Sequence, residues 1–132
     1  MSPPSPPDSF LTLGRTGKAE IKVQRSRFIG VVSPAPDEAT ARLFITEVAR
    51  GYHDSRHVCH AWRLGYPPHL EENRNDDGEP SGTAGEPILS ALRRQDITNV
   101  VGVVVRYFGG VKLGTGGLQR AYGEAARQAL AE

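Results

Sequence analysis

The feature that most constrains this chain is an apolar run that leads straight into a glycine-rich segment and then into a helical pattern. Residues 100–105 are apolar apart from Gly102 and do not alternate with polar residues, which is typical of a strand covered on both faces. Residues 106–117 follow with five glycines, and from Leu118 to Leu130 the apolar residues recur with helical spacing. The sequence therefore predicts a central strand that a tight glycine-rich connection joins to an amphipathic helix.

Alternation and helical spacing predict the remaining elements. These are strands at residues 18–23, 27–32 and 57–64, and helices at residues 37–50 and 87–92. Residues 65–86 are rich in glycine, proline, asparagine and acidic residues, and we expect them to form one long loop. The order β-β-α-β-α-β-α predicts an α+β fold, a sheet with helices packed on it.

At 132 residues the chain is long enough for one hydrophobic core, and we place a single folded domain at residues 18–132. Residues 1–17 contain four closely spaced prolines and are predicted to form a flexible arm. The lone cysteine excludes an intramolecular disulfide framework, and neither a signal-peptide pattern nor a run of about 20 apolar residues is present. These features predict a cytoplasmic protein that does not contact membranes.

The glycine-rich segment 106–117 has the features of an anion site. Its glycines allow positive φ angles and a close backbone approach, and it ends at a helix N-terminus, where free N–H groups favour negative charge. Arg106, Lys112 and Arg120 add positive charge, although the formal net charge of the chain is only +1. The segment matches neither a P-loop nor a dinucleotide fingerprint. Two interpretations stay open, a site for phosphate groups or a tight strand-to-helix connection.

A second glycine-rich segment, residues 76–85, holds three carboxylates within four positions. Such a group can bind a hard cation, but it is also typical of a solvated turn and falls short of an EF-hand loop. A nucleophilic Ser81 or Thr83 is disfavoured because Gly-x-Ser-x-Gly is absent. We favour a structural role, in which Asp77 and Glu79 accept hydrogen bonds from backbone N–H groups of the turn that follows and hold the loop rigid.

Histidine and cysteine cluster at residues 53–60, a composition that is compatible with a zinc site or a cysteine hydrolase. In a strand, His57 and Cys59 face one side and His60 faces the other, so these residues do not converge on a metal. Side chains two positions apart stand roughly 6–7 Å from each other, too far for direct proton transfer between Cys59 and His57. We therefore expect Cys59 to be buried in the core, and we predict no catalytic residue, metal site or cofactor.

These segments together resemble the N-terminal domain of the IMPACT/YigZ family. The matching residues are 76–85, 87–89, 106–118 and 120–122, with weaker agreement in 25–28 and 57–59, so the resemblance covers residues 18–131. The chain departs from many relatives at Val58 and His60. Many bacterial relatives continue into a second, ferredoxin-like domain, which we expect to be absent here.

The resemblance implies a fold similar to domain IV of elongation factor G and to a domain of a small-subunit ribosomal protein. That fold has two layers, a mixed four-stranded sheet with helices on one face. Eukaryotic members look like translational regulators, and the fold points to RNA or ribosome binding in bacterial members. No cofactor and no established catalytic residue accompany the family.

Three hypotheses of function follow. The first is binding of RNA or the ribosome, without DNA specificity, through a glycine-rich basic surface. The second is a protein regulator that docks on a translation-associated partner through the acidic residues 71–79, and the third is a hydrolase that uses Asp77, Glu79 or Cys59. We favour the first and predict a binding protein rather than an enzyme. The predicted binding residues are Arg106, Gly109, Gly110, Lys112, Gly114, Gly116, Gly117, Arg120, Asp76, Asp77, Glu79 and Thr83.

Overall fold

The computed structural model describes residues 11–132, and within this range the chain forms seven strands and three helices. The strands are β1 (Leu11–Thr12), β2 (Gly17–Val23), β3 (Ser26–Pro34), β4 (His57–Leu64), β5 (Glu71–Asn75), β6 (Ile97–Thr98) and β7 (Val100–Tyr107). The helices are α1 (Glu38–Gly51), α2 (Gly85–Arg94) and α3 (Gly114–Leu130). Most of the predicted flexible arm, residues 1–10, lies outside the described range, so the arm and the domain boundary stay predictions.

Five strands form the main sheet in the order β2-β3-β7-β4-β5, and every neighbouring pair is antiparallel. β7 lies at the centre, as its apolar sequence predicts, and its residues from Val100 to Arg106 are all buried. β1 and β6 pair in parallel as a separate two-residue ladder. The predicted α+β class is confirmed, but the main sheet has five antiparallel strands where a mixed four-stranded sheet was expected.

The additional strand is β5, which lies inside the region predicted as one long loop. Its sequence, Glu-Glu-Asn-Arg-Asn, has no apolar alternation, so no local pattern marks it as a strand. Its backbone pairs with β4, and Glu72 binds Arg63 of β4 at 3.0 Å and Arg93 of α2 at 2.8 Å. The bond from Arg93 contributes most to holding the pKa of Glu72 below its ordinary value. Tertiary pairing therefore forms β5 against its local composition.

Helices cover both faces of the sheet. On one face, Phe28 of β3 is buried in the same cluster as Ile88 of α2 and Tyr122 of α3, and on the other Val103 of β7 packs with Ala41 of α1. The resemblance implied helices on one face only, whereas the structure has three layers. The reason lies in β7, which is apolar on both sides, so that each face of the sheet needs a cover. Within residues 11–132, no helix has both the length and the apolar character that crossing a bilayer requires.

The position of α3 depends on two glycines of the sheet. A Cβ atom at Gly30 would lie 2.4 Å from the carbonyl oxygen of Ala125, and a Cβ atom at Gly17 would lie 2.2 Å from that of Ala129. Because β2 and β3 present bare backbone there, the helix lies directly against them. This packing fixes the direction of α3 and brings its first turn beside the end of β7, where both line one cleft.

Candidate functional site

The two glycine-rich segments meet in a cleft of about 390 Å³ on the face of the sheet that α3 covers. The segment before α2 contributes Glu79 and Pro80, while β4 and the residue before it contribute His57 and Arg56. The end of β7, the turn after it and the start of α3 supply the remaining lining residues, which are Arg106, Phe108, Lys112, Leu113, Gly114, Thr115 and Leu118. The site is therefore composite, because elements far apart in the sequence form one surface.

A buried ion pair forms the floor of the cleft. Nη1 of Arg106 donates to both carboxylate oxygens of Glu79, at 3.1 and 2.8 Å, and the two side chains are only 6% and 4% exposed. The Tyr122 hydroxyl donates to the same carboxylate, and Nε2 of His57 lies 3.4 Å from it. Arg106 and Glu79, both predicted as ligand-binding residues, thus bind each other, and most of their charge is compensated inside the protein.

The wall of the cleft opposite this pair is the first turn of α3. Leu113 is the N-cap residue and no side chain caps the helix, while the first turn contains no acidic residue. Its first N–H groups therefore lack the partner that a cap side chain normally provides. Gly114 has a φ of +73° and Gly110 a φ of +87°, conformations that favour glycine. Lys112 lies between them and is exposed, so the helix dipole and a free cation act at the same place.

The other glycines of this segment differ in how much space a Cβ atom would have. A Cβ at Gly109 would lie 2.1 Å from the backbone carbonyl carbon of Arg25, and one at Gly117 would lie 3.1 Å from Cβ of Leu113. A Cβ at Gly116 would meet only the flexible end of Arg120, at 3.3 Å. The expectation that all five glycines open the backbone to a ligand is therefore wrong for Gly109, where the chain itself fills the space.

Arg120 lies outside the cleft, in a neighbouring groove along α3. This groove also contains Lys112, Arg127 and Glu124, so Lys112 belongs to both surfaces. Arg127 pairs with Glu124 at 2.7 Å, whereas Arg120 is exposed and forms no salt bridge within residues 11–132. The predicted basic residues therefore do not converge on one point, because Arg106 is buried in β7 while Lys112 and Arg120 are exposed before and along α3.

Asp76 has the role that the sequence assigned to Asp77 and Glu79. Its carboxylate accepts hydrogen bonds from the backbone N–H groups of Gly82, Ala84 and Gly85, at 2.9, 3.1 and 2.8 Å, and so holds the loop at the start of α2. Burial raises the pKa of this carboxyl group, but the three N–H donors together outweigh burial and lower the pKa below its ordinary value. The prediction that a carboxylate binds the N–H groups of this loop was correct, and its assignment to Asp77 and Glu79 was wrong.

The remaining predicted residues of this loop also have partners inside the protein. The carboxylate of Asp77 accepts the N–H of Val58 at 2.6 Å, and its carbonyl oxygen lies 2.7 Å from Nδ1 of His57. Thr83 is buried and its hydroxyl donates to the carbonyl oxygen of Pro80 at 2.6 Å. Asp76, Asp77 and Thr83 therefore shape the cleft from behind and do not line it.

We expect the Asp76→Asn substitution to lower the free energy of unfolding by about 2 kcal/mol, because hydrogen bonds to a charged acceptor contribute roughly 1.5–3 kcal/mol. The folded-state pKa of Asp76 is depressed, so its contribution is complete at neutral pH and is lost as the pH falls through that value. Urea denaturation at pH 7 and at pH 3 measures both effects. A variant as stable as the wild type at pH 7 would contradict this role.

His57, Cys59 and His60 lie in three different surroundings, and His57 lines the cleft. Cys59 is fully buried, its Sγ–H donates to the carbonyl oxygen of Asp76 at 3.2 Å, and burial raises the pKa of its thiol. His60 lies on the opposite face of the sheet, where its ring stacks on Trp62. Within residues 11–132, no group of three or more histidine, cysteine or acidic side chains is arranged to hold a metal ion. Cys59 thus packs in the core, as the sequence analysis expected.

Several lining residues were not identified from the sequence. Arg56, His57, Pro80 and Phe108 reach the cleft only because β4 pairs with β7 and the loop before α2 folds over their ends. No local pattern marks Arg56 or Pro80. Phe108 is an exception, because an aromatic residue near the basic segment is a candidate for base stacking, and it is 40% exposed.

Comparison with known proteins places this fold in one family. Residues 24–130 match the family described as the Impact N-terminal domain. The chain is 42% identical over 122 residues to the IMPACT family member YvyE of Bacillus subtilis, a match that covers 92% of this chain and 56% of that protein. It is also 42% identical over 110 residues to the IMPACT family member YigZ of Escherichia coli, covering 83% of this chain and 54% of that protein.

A solved crystal structure of a hypothetical protein has the same fold. The two structures superpose with a TM-score of 0.89 at 37% sequence identity. The match covers 93% of this chain and 60% of the chain in the solved structure. The chain therefore spans little more than half the length of the relatives it matches.

Proposed function

The chain belongs to the IMPACT family, and from this membership we propose that it is a translation-associated regulatory protein that binds RNA or the ribosome. The binding surface combines the exposed side of α3 with the turn before it and the residue before β4. We call it the α3 basic surface and define it as Arg56, Lys112, Arg120 and Arg127. The resemblance of the family to translational regulators supports the biological context. The geometry of the α3 basic surface supports the type of ligand.

One observation carries this proposal: exposed cations that form no salt bridge within residues 11–132 flank a helix start that lacks a side-chain cap. Arg56, Lys112 and Arg120 are exposed and form no salt bridge with any residue in the range 11–132. The uncapped N–H groups of α3 lie beside Lys112. A phosphodiester backbone offers a row of anions, which suits cations spread along a helix better than a single small anion does.

A protein partner that docks on the acidic residues 71–79 is less well supported. Glu72 binds Arg63 and Arg93, Asp76 and Asp77 accept backbone N–H groups, and Glu79 is buried with Arg106. Most of the negative charge of this segment is therefore satisfied inside the protein. The α3 basic surface therefore offers more exposed charge to a binding partner than residues 71–79 do.

We expect the double variant Lys112→Ala/Arg120→Ala to bind single-stranded RNA about tenfold more weakly at low salt. Each lost phosphate contact removes about 0.7 from the slope of log K against log salt, so the slope should flatten by about 1.4. Fluorescence anisotropy of a labelled oligonucleotide, titrated at several salt concentrations, measures both quantities.

The matched control is Arg15→Ala/Lys18→Ala, which also removes one arginine and one lysine from exposed positions. Lys18 lies over the ring of Tyr52 and pairs with Val31, whose side chain belongs to the α1 face of the sheet. If the two double variants weaken RNA binding equally, net charge and not the α3 basic surface explains the binding. A pull-down from lysate with and without nuclease then separates RNA from protein partners.

A further inference from the structure

We propose that the cleft between the two glycine-rich segments is a subsite for a single phosphorylated nucleotide, whose phosphate binds the first turn of α3 and whose base lies against Phe108. This inference rests on the proposed function, since it names the part of an RNA ligand that the cleft accepts. It goes further in one respect, because it predicts that a free mononucleotide binds without the rest of the strand.

The phosphate end of the cleft is formed by α3. Gly114 and Thr115 are the first residues of the helix and line the cleft, and no side chain caps their end of α3. Lys112 and Arg56 line the same space and are exposed. A helix start with free N–H groups and two cations within reach is the usual setting for a phosphate group.

A second, independent observation comes from the floor of the cleft. The Nε atom of Arg106 is the one buried side-chain nitrogen or oxygen in residues 11–132 that has no hydrogen-bond partner, although the rest of this guanidinium is bound to Glu79 and Ser26. Phe108 lies over the guanidinium, 5.3 Å from its centre. A buried donor without a partner is unfavourable, and a ligand bound in the cleft, which Arg106 lines, would give it an acceptor.

The other end of the cleft is suited to a planar ring. Phe108 is 40% exposed and lies 5.4 Å from the guanidinium of Arg56, which is itself exposed. Bases stack on aromatic rings and on arginine planes, and both residues line the cleft and are partly exposed. Leu113, Leu118 and Pro80 add apolar surface, and the volume of about 390 Å³ falls within the range of small-molecule sites.

The acidic group of the cleft does not oppose this assignment. Glu79 contributes the single carboxylate of the lining, against the three cations Arg56, Arg106 and Lys112. Both oxygens of Glu79 accept hydrogen bonds from Arg106, and His57 faces the same carboxylate. An incoming phosphate therefore meets a net positive cleft whose negative charge is already paired.

The test is isothermal titration of the full chain with adenosine 5′-monophosphate, with inorganic phosphate and with adenosine, at low salt. We expect the mononucleotide to bind at least about fivefold more tightly than phosphate, since stacking of one base contributes that much or more. Phe108→Ala should remove this advantage and leave phosphate binding unchanged, whereas Lys112→Ala should weaken both. Phe108→Leu separates stacking from loss of bulk, because leucine keeps an apolar contact without an aromatic ring.

The matched control is Leu43→Ala on α1, which truncates another exposed apolar side chain, 59% exposed, on the opposite face of the sheet. Equal affinities for the mononucleotide and phosphate, no binding of either, or adenosine binding as tightly as the mononucleotide would each overturn the inference. In those cases the salt dependence of RNA binding, with its Lys112→Ala/Arg120→Ala variant, still tests the proposed function separately.

Discussion

Replacing Glu79 with alanine is expected to lower the free energy of unfolding by about 3–5 kcal/mol, the largest loss that we expect from a single side chain of the cleft. The substitution removes the counter-ion of the Arg106 guanidinium, whose side chain is only 6% exposed in the intact pair. It also removes the acceptor of the Tyr122 hydroxyl, which is buried in the core beside Phe28. Urea denaturation followed by circular dichroism measures the change.

Two further variants make this prediction specific. Glu20→Ala breaks the bidentate pair with Arg27 on the surface, where the side chain of Glu20 is 37% exposed and that of Arg27 is 44% exposed. This variant should change the free energy of unfolding far less. The double variant Glu79→Leu/Arg106→Met should recover much of the loss, because replacing a buried pair by apolar residues is often neutral. A Glu79→Ala variant no less stable than Glu20→Ala would show that the pair is not buried as described.

The ion pair matters for the site because it joins three parts of the chain. Glu79 belongs to the loop before α2, Arg106 to the central strand and Tyr122 to the middle of α3. The cleft exists only while these parts stay together, so the charges of Glu79 and Arg106 shape the surface mainly by binding each other. The ligand-facing charges are then Arg56 and Lys112, which have no salt-bridge partner in residues 11–132.

The sequence predicts elements well where burial imposes a period. The apolar pattern of β7 predicts a strand because β7 is covered on both faces, and that of α3 predicts a helix because α3 is buried along one stripe. β5 has no such pattern, since an edge strand of polar residues is stabilised by pairing with β4 and by the bonds of Glu72. Hydrophobic periodicity reports burial, and it cannot report a strand that is scarcely buried.

The candidate site divides in the same way. A glycine-rich turn that leads into a helix start is a local property, and the sequence predicts it. The sequence did not show that the helix begins at Gly114, inside the predicted connection 106–117, or that the positive φ angles fall at Gly110 and Gly114. The pairing of Arg106 with Glu79 spans 27 positions, and nothing local distinguishes these two charged residues from those that face solvent. A buried arginine was therefore assigned to the surface, because its burial depends on how α3 and the loop before α2 cross the end of β7.

We expect Gly109→Ala to lower the free energy of unfolding by about 3 kcal/mol, the upper part of the range for overpacking. A Cβ at this position would lie 2.1 and 2.2 Å from the carbonyl carbon and oxygen of Arg25, so backbone rather than a flexible side chain must move. Neighbouring groups resist such a shift, since the N–H of Gly109 donates to the hydroxyl of the buried Ser26 at 3.2 Å. Arg25 also sits in the tight turn between β2 and β3, with a φ of +69°.

The control is Gly110→Ala, one residue further along the same turn. A Cβ at Gly110 meets nothing within 4 Å, but its φ of +87° disfavours alanine, so the loss should be smaller, about 1 kcal/mol. Thermal and urea unfolding compare the free energies of unfolding of the two variants. Fluorescence anisotropy of labelled RNA, measured at a temperature where both variants are folded, then reports RNA binding separately from stability. If Gly109→Ala keeps wild-type stability yet loses RNA binding, the missing Cβ serves the ligand and not the contact with Arg25. The reverse result, lower stability with binding intact below the unfolding transition, assigns this glycine to the scaffold and leaves Gly110, Lys112 and Gly114 to meet the ligand.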